Sequence, residues 1–252
     1  MLDYIYTHLD TMSNAVIARG LHSVDFSHAI AHYPQNILLL DPSQEGGEYD
    51  MHTGLRYYHG RESVATYFQQ VRRRRPEDEL KWIDFNDVGM LKELSALEIS
   101  ELLYLGHMKT HLHSPFFYKL QNNFVFFEYQ EDVTKIYYRY LDEFYRMFGN
   151  KITRTVLEKL NDRKTFFKRS TPVEKIDINL LQELRPILQN GVVFCFAQQE
   201  VVNREYTIPI YIVEDSLWKI KDSHYQNEDV IGRLIYNTLT RQWRLEKDDF
   251  LY

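Results

Sequence analysis

The sequence predicts an α+β protein: a mostly helical N-terminal two-thirds with a short hairpin, followed by a C-terminal antiparallel sheet. Three observations predict it. Apolar residues recur at intervals of three and four in several stretches before Gly191. Beyond Gly191 the chain turns to β-branched and aromatic runs separated by short polar turns. The composition, 44% hydrophobic and 15% aromatic, supplies enough apolar mass to cover both parts.

Leu2, Ile5, Leu9, Met12 and Val16 keep helical spacing and Gly20 follows, so residues 2–18 read as an amphipathic helix. Ser23 heads a short helix through Ala31, stopped before Pro34. Asn36 to Leu40 is a short aliphatic strand, and Ser43 to Asp50, with two glycines, is loop. Val64, Tyr67, Phe68 and Val71 mark a helix that Pro76 ends, and Leu80 to Phe85 reads as a strand. Ser95-Ala96-Leu97-Glu98 is a capping box opening a helix to about Lys109. Phe116 to Leu120 and Phe124 to Tyr129 flank Gln121-Asn122-Asn123 as a hairpin. Val133 to Phe148 keeps helical spacing up to Gly149, and a basic helix follows from Ile152 to Phe166. Ile178 to Leu188 is one more short helix. Strands then fall at Val192 to Ala197, Tyr206 to Val213, Leu217 to Ile220 and Leu234 to Leu245. A seam is expected near Ser170-Thr171-Pro172 or Asn190-Gly191, giving a mainly helical region, 1–172, and a helix-plus-sheet region, 173–252, with one compact domain as the alternative.

Composition narrows the function classes. No run of about 20 apolar residues occurs, which predicts no membrane partner. The start carries Asp3 and Asp10 without an early basic residue and does not resemble a signal peptide. A single cysteine, Cys195, sits in an apolar run and excludes an intramolecular disulfide, so the expected compartment is the cytoplasm. Gly-x-Ser-x-Gly, Cys-x-x-Cys and dinucleotide fingerprints are absent, and Gly46-Gly47 lacks the Lys-Ser/Thr of a phosphate loop.

Histidine supplies the one cluster with metal-ligand spacing. Nine of the ten histidines lie in the first 113 residues. His107 and His111 stand at i and i+4 and share a helix face if the helix runs that far, with His113 completing a three-imidazole set. A divalent metal is the cofactor this spacing would hold. His28 and His32 repeat the spacing, and His52 and His59 flank a loop. Met108 occupies the place where a zincin has its general-base glutamate, so the protease mechanism is excluded. Thr110-His111-Leu112-His113 resembles the His-x-His metal strand of the amidohydrolase barrels over four residues. Only 139 residues follow, too few for the rest of such a barrel. The bland explanation of the cluster is a helix C-terminus, where imidazolium meets exposed carbonyls.

A second constellation is basic. Residues 146–175 hold nine basic and three acidic residues, +6 in a chain of net charge −6. Lys151, Arg154, Lys164, Lys168 and Arg169 stand out, interleaved with Phe166 and Phe167, and such a pattern suits phosphates and stacked bases. The acidic balance of the whole chain weighs against a dedicated nucleic-acid binder. Docking of this face on the acidic N-terminal third is the simpler reading. Tyr138 falls off the apolar stripe of its helix and is expected to face a cleft or partner.

Two classes follow. One is a non-catalytic binding or regulatory protein that engages a protein or small-molecule partner through an aromatic and basic surface, with a homodimer as one form. The other is a metal-dependent hydrolase, or another enzyme, built around His107, His111 and His113.

Overall fold

The N-terminal segment is a β-hairpin. In the computed structural model, β1 (Tyr4–Asp10) and β2 (Ala15–Arg19) replace the helix expected over residues 2–18. Ile5, Tyr6, Thr7 and Leu9 are all buried, so the strand is covered on both faces and has lost the alternation that announces a strand. Met12, which the helical spacing placed on the buried stripe, is 95% exposed at the turn. Asp10 makes that turn, accepting from the Met12 N–H at 2.9 Å and the Ser13 hydroxyl at 2.5 Å. Asn14 closes it at φ +53°.

The second correction falls on residues 116–148. Phe124 does not pair back on Phe116 to Leu120, where residues 118–121 form a turn instead. The strand β7 (Phe124–Tyr129) pairs with β8 (Val133–Tyr138) from Phe124 opposite Tyr138 to Tyr129 opposite Val133. The long helix expected from Val133 is therefore a strand, then the two residues Arg139 and Tyr140, then α4 (Leu141–Asn161). Gly149 does not end a helix but lies within α4. A Cβ there would stand 2.7 Å from Leu181 and 2.8 Å from Ile176, so the glycine lets those two side chains approach the helix backbone.

The structure describes residues 3–30, 33–71, 79–107, 114–129, 132–161, 171–197, 201–213 and 230–247. The remaining elements are α1 (Ser23–Ala29), β3 (Asn36–Leu39), β4 (Glu48–Asp50), β5 (Leu55–His59), α2 (Arg61–Val71), β6 (Leu80–Phe85), a 3₁₀ helix at Val88–Glu93 and α3 (Ala96–His107). After α4 come α5 (Ile178–Gln182), α6 (Arg185–Leu188), β9 (Val192–Cys195), β10 (Glu205–Ile212), β11 (Val230–Asn237) and β12 (Gln242–Lys247). Among the described residues the hydrogen-bonded order is β12-β11-β10-β9-β1-β2-β8-β7-β6-β3-β5-β4, an antiparallel arrangement of twelve strands. This overturns a mostly helical N-terminal two-thirds. Eight of the twelve strands precede α4, and helices are spread along the chain.

The chain divides into two compact units, one of residues 10–17 and 21–144, the other of 1–9, 18–20 and 145–252. In the first, the sheet is covered on both faces. Trp82 and Phe126, opposite each other on β6 and β7, stack at 5.1 Å with planes 7° apart. Phe26 of α1 meets Trp82, Phe126 and Phe124 edge-on at 5.1 to 5.4 Å, and Phe68 of α2 joins them. The alternate residues Ile83, Phe85, Val125 and Phe127 point the other way. There they pack with Leu91 of the 3₁₀ helix and with Leu102 and Leu105 of α3. In the second unit, Phe148 of α4 meets Phe194 of β9 at 4.9 Å, and β9, β10, β11 and β12 pair in sequence. The stretch 234–245, read above as one strand, is a hairpin turned at Arg241, φ +58°. The strand expected over 217–220 lies outside the described residues.

Close approach tests how α3 seats on this core. A Cβ on Gly106 would lie 2.4 Å from the Leu40 carbonyl oxygen, a backbone atom that cannot swing aside. In an unconstrained helix Gly→Ala is worth up to about 1 kcal/mol of stability. Here Gly106→Ala is expected to destabilise by about 1–3 kcal/mol in urea unfolding. An unchanged or raised midpoint would mean that α3 does not rest on Leu40.

Candidate functional site

One end of the first unit gathers several loops around a buried carboxylate. Asp84, near the end of β6, is 4% exposed. One carboxylate oxygen accepts from the backbone N–H of Asn123 at 2.9 Å and of Phe124 at 2.6 Å. The other lies 3.5 Å from the Asn123 side-chain amide. Burial pushes its pKa from 3.8 up to about 7, against the opposing effect of those N–H donors. Asn122 next to it is fully buried and organises the preceding loop. Its side chain accepts from Phe117 N–H at 2.8 Å and donates to the Pro115 carbonyl at 3.2 Å. Its own carbonyl accepts from Arg139 Nε at 2.7 Å. Arg139 then lies over the Phe116 ring, 5.0 Å from the centroid.

This polar base holds an exposed apolar rim. The Arg139 N–H donates to the Asn123 carbonyl at 2.8 Å, and the Tyr138 N–H to Asn14 at 3.0 Å. The turns at 11–14, 116–123 and 139–140 are thereby knitted together. Their outermost large side chains are Met12, Tyr118 and Tyr140, exposed by 95%, 93% and 63%. Two phenol rings and a thioether are thus left in water on loops tied to one another by backbone hydrogen bonds.

A second polar pair hangs from the other end of β7. His22 Nδ1 lies 3.3 Å from Glu128 Oε1, with side chains 31% and 15% exposed. The Ser23 N–H donates to the same oxygen at 3.4 Å, and the His22 N–H to Asp25 at 3.0 Å. Burial of the ring pulls its pKa down. The bonded Glu128 carboxylate, with Asp25 and Asp132 further off, outweighs this, and the net shift is upward. The pair orients one imidazole and favours its protonated form, which anchors the start of α1.

The residues singled out from sequence are placed as follows. His107 is the last residue of α3, and His111 and His113 lie outside the described residues. Among the described residues no group of three or more His, Cys, Asp or Glu is arranged to hold a metal ion. His28 is exposed in the last turn of α1, and His32 lies outside the described residues. His52 donates to the Leu94 carbonyl at 2.7 Å, and His59 is exposed at the end of β5. Tyr138 is not on a helix. It ends β8 with its ring fully buried, 5.9 Å from Phe124 and from Phe144. Lys151 and Arg154 lie half-buried on α4, where Arg154 stands 3.9 Å from Glu158. Lys159, one turn on, is bonded to Asp3. Lys164, Lys168 and Arg169 lie outside the described residues. None of the described helices is long and apolar enough to cross a membrane.

Sequence reasoning missed Asp84, Asn122, His22 and Glu128. An acid inside the apolar run Leu80 to Phe85 was the available signal for Asp84. Glu128 is 106 residues from His22, and no local pattern joins them.

Two titrations test these assignments. Asp84 is raised when folded, so its contribution to stability is fully present below about pH 4 and is lost as pH rises through about 7. Asp84→Asn keeps an acceptor oxygen and removes that titration, so urea midpoints measured from pH 4.5 to 8 should lose part of their downward slope. An unaltered slope would show that Asp84 does not titrate in this window. For His22, Glu128→Gln removes the counter-charge and leaves burial in place. The His22 pKa, followed by NMR, should then fall below its ordinary value of 6.5; an unchanged value would separate the two residues. No protein-family model, no curated protein and no solved structure matches this chain.

Proposed function

We propose that this chain is a cytoplasmic, non-catalytic binding protein whose partner is another protein, received on the rim of Met12, Tyr118 and Tyr140 with Arg139 beside them. The observation that carries the reading is the joint exposure of those three side chains on loops tied to one another by backbone hydrogen bonds. Tyrosine, methionine and arginine are the residues that interfaces concentrate, and tyrosine orders only two side-chain torsions on binding. The buried Asp84 and Asn122 beneath them hold the loops in place before the partner arrives, which lowers the ordering cost of association. The basic segment contributes less to this reading, because Arg154 and Lys159 face Glu158 and Asp3 of the same chain.

The test is a matched capture experiment. Wild type, the triple variant Met12→Ser/Tyr118→Ser/Tyr140→Ser, and the control Tyr49→Ser are used as bait against cell extract, with bound proteins quantified by mass spectrometry. Tyr49 is 58% exposed on β4 and lies outside the rim. A partner is expected whose recovery falls by about tenfold or more in the triple variant and not in the control. Loss in both, or no protein whose capture depends on the rim, would overturn the proposal.

A further inference from the structure

Strand β12 closes one end of the strand order, and among the described residues no strand pairs with its outer side. Its inner side is paired with β11 over six positions, from Gly232 opposite Lys247 to Asn237 opposite Gln242. One face of the strand is anchored. Trp243 donates to the Glu174 carbonyl at 2.8 Å and packs 4.9 Å from the Tyr236 ring, and Lys247 reaches Glu183 at 3.8 Å. The opposite face presents Gln242, Arg244 and Glu246, all exposed. Arg244 is not a loose side chain: its guanidinium is clamped by Glu205 at 2.6 and 2.9 Å and touches Glu246 at 3.0 Å.

A charged edge usually keeps foreign strands away. The order of charges here admits one particular strand, which is itself. We propose that a second copy of this chain pairs on this edge, β12 antiparallel to β12, about a two-fold axis through Leu245. In that register Arg244 of each copy faces Glu246 of the other, and Trp243 faces Lys247. Two opposite-charge pairs and two cation–aromatic pairs result. Neighbouring registers lose this. Centring on Arg244 or on Glu246 sets like charges against each other. The outer strand β4 shows the contrast. Pairing about Tyr49 would set Glu48 against Asp50, two carboxylates. Of the two outer strands among the described residues, β12 is therefore the one whose charges suit an isologous contact, in which one patch serves both partners. This contact shares no residue with the rim of Met12, Tyr118 and Tyr140.

Sedimentation velocity between about 5 and 500 µM protein tests the contact, since an edge-only interface is small and reversible. A concentration-dependent dimer is expected. Arg244→Glu should raise its dissociation constant by about tenfold or more by opposing carboxylates twice. The charge swap Arg244→Glu/Glu246→Arg should restore it. Both variants lose the clamp on Glu205, so that loss cannot account for the difference between them. Leu245→Cys in a Cys195→Ser background should form an intermolecular disulfide under copper-phenanthroline oxidation, because residues directly opposite in an antiparallel pair are within bridging distance. A monomer across the whole range, an unaffected Arg244→Glu dimer, a swap that fails to restore association, or the absence of the cross-link would overturn the proposal.

Discussion

The stack of Trp82 on Phe126 is the contact on which the first unit depends. It joins the central strands β6 and β7 on one face, and α1 and α2 close over it through Phe26 and Phe68. Truncating a ring buried this fully costs about 3–5 kcal/mol, a large share of a typical domain's stability. The other face of the same two strands is covered by α3 and the 3₁₀ helix. A sheet with both faces buried cannot keep polar residues on every alternate position, and β6, β7 and β8 are mostly apolar or aromatic on both sides.

Among the polar groups that remain inside, carboxylates tie this sheet to its loops and helices. Both ends of β7 are tied by a carboxylate. Asp84 holds the N–H groups where the strand begins, and Glu128, near its end, holds His22 and Ser23 at the start of α1. Each binding is between residues far apart in the chain, so each fixes where a loop or helix leaves the sheet. The rim of exposed side chains inherits its position from the first of these ties. Hydrogen bonds run from Asp84 to Asn123, from Asn123 to Arg139, and from Tyr138 to the turn that carries Met12.

How much of this was legible depends on the range of the signal. The capping box at Ser95 and Glu98 was readable because both partners lie within one helical turn, and the two bonds are present. The extent of β6 was readable from its aromatic and aliphatic run. The segments 2–18 and 133–140 misled for one physical reason. Burial on both faces removes the period of two, and the apolar residues that remain fall by chance at helical spacing. In the structure the Asp10 turn and the positive φ of Asn14 interrupt the first of these segments. The rim was not legible, because Met12, Tyr118 and Tyr140 are spread over 129 positions and are joined only through backbone hydrogen bonds.

By itself the sequence determined the local features: the capping of α3, the short aliphatic strand β3, and the abundance of aromatic mass for a core. Tertiary structure decided everything that needs two distant residues: which segments are strands, that twelve of them align, that Tyr138 is buried while Tyr140 is not, and that Asp84 is held away from water. The reason is the nature of the interactions. A helix cap or a turn closes its hydrogen bonds within a few residues, whereas a strand has no hydrogen bonds until its neighbour arrives. Whether a side chain is core or surface is settled only by what that neighbour brings.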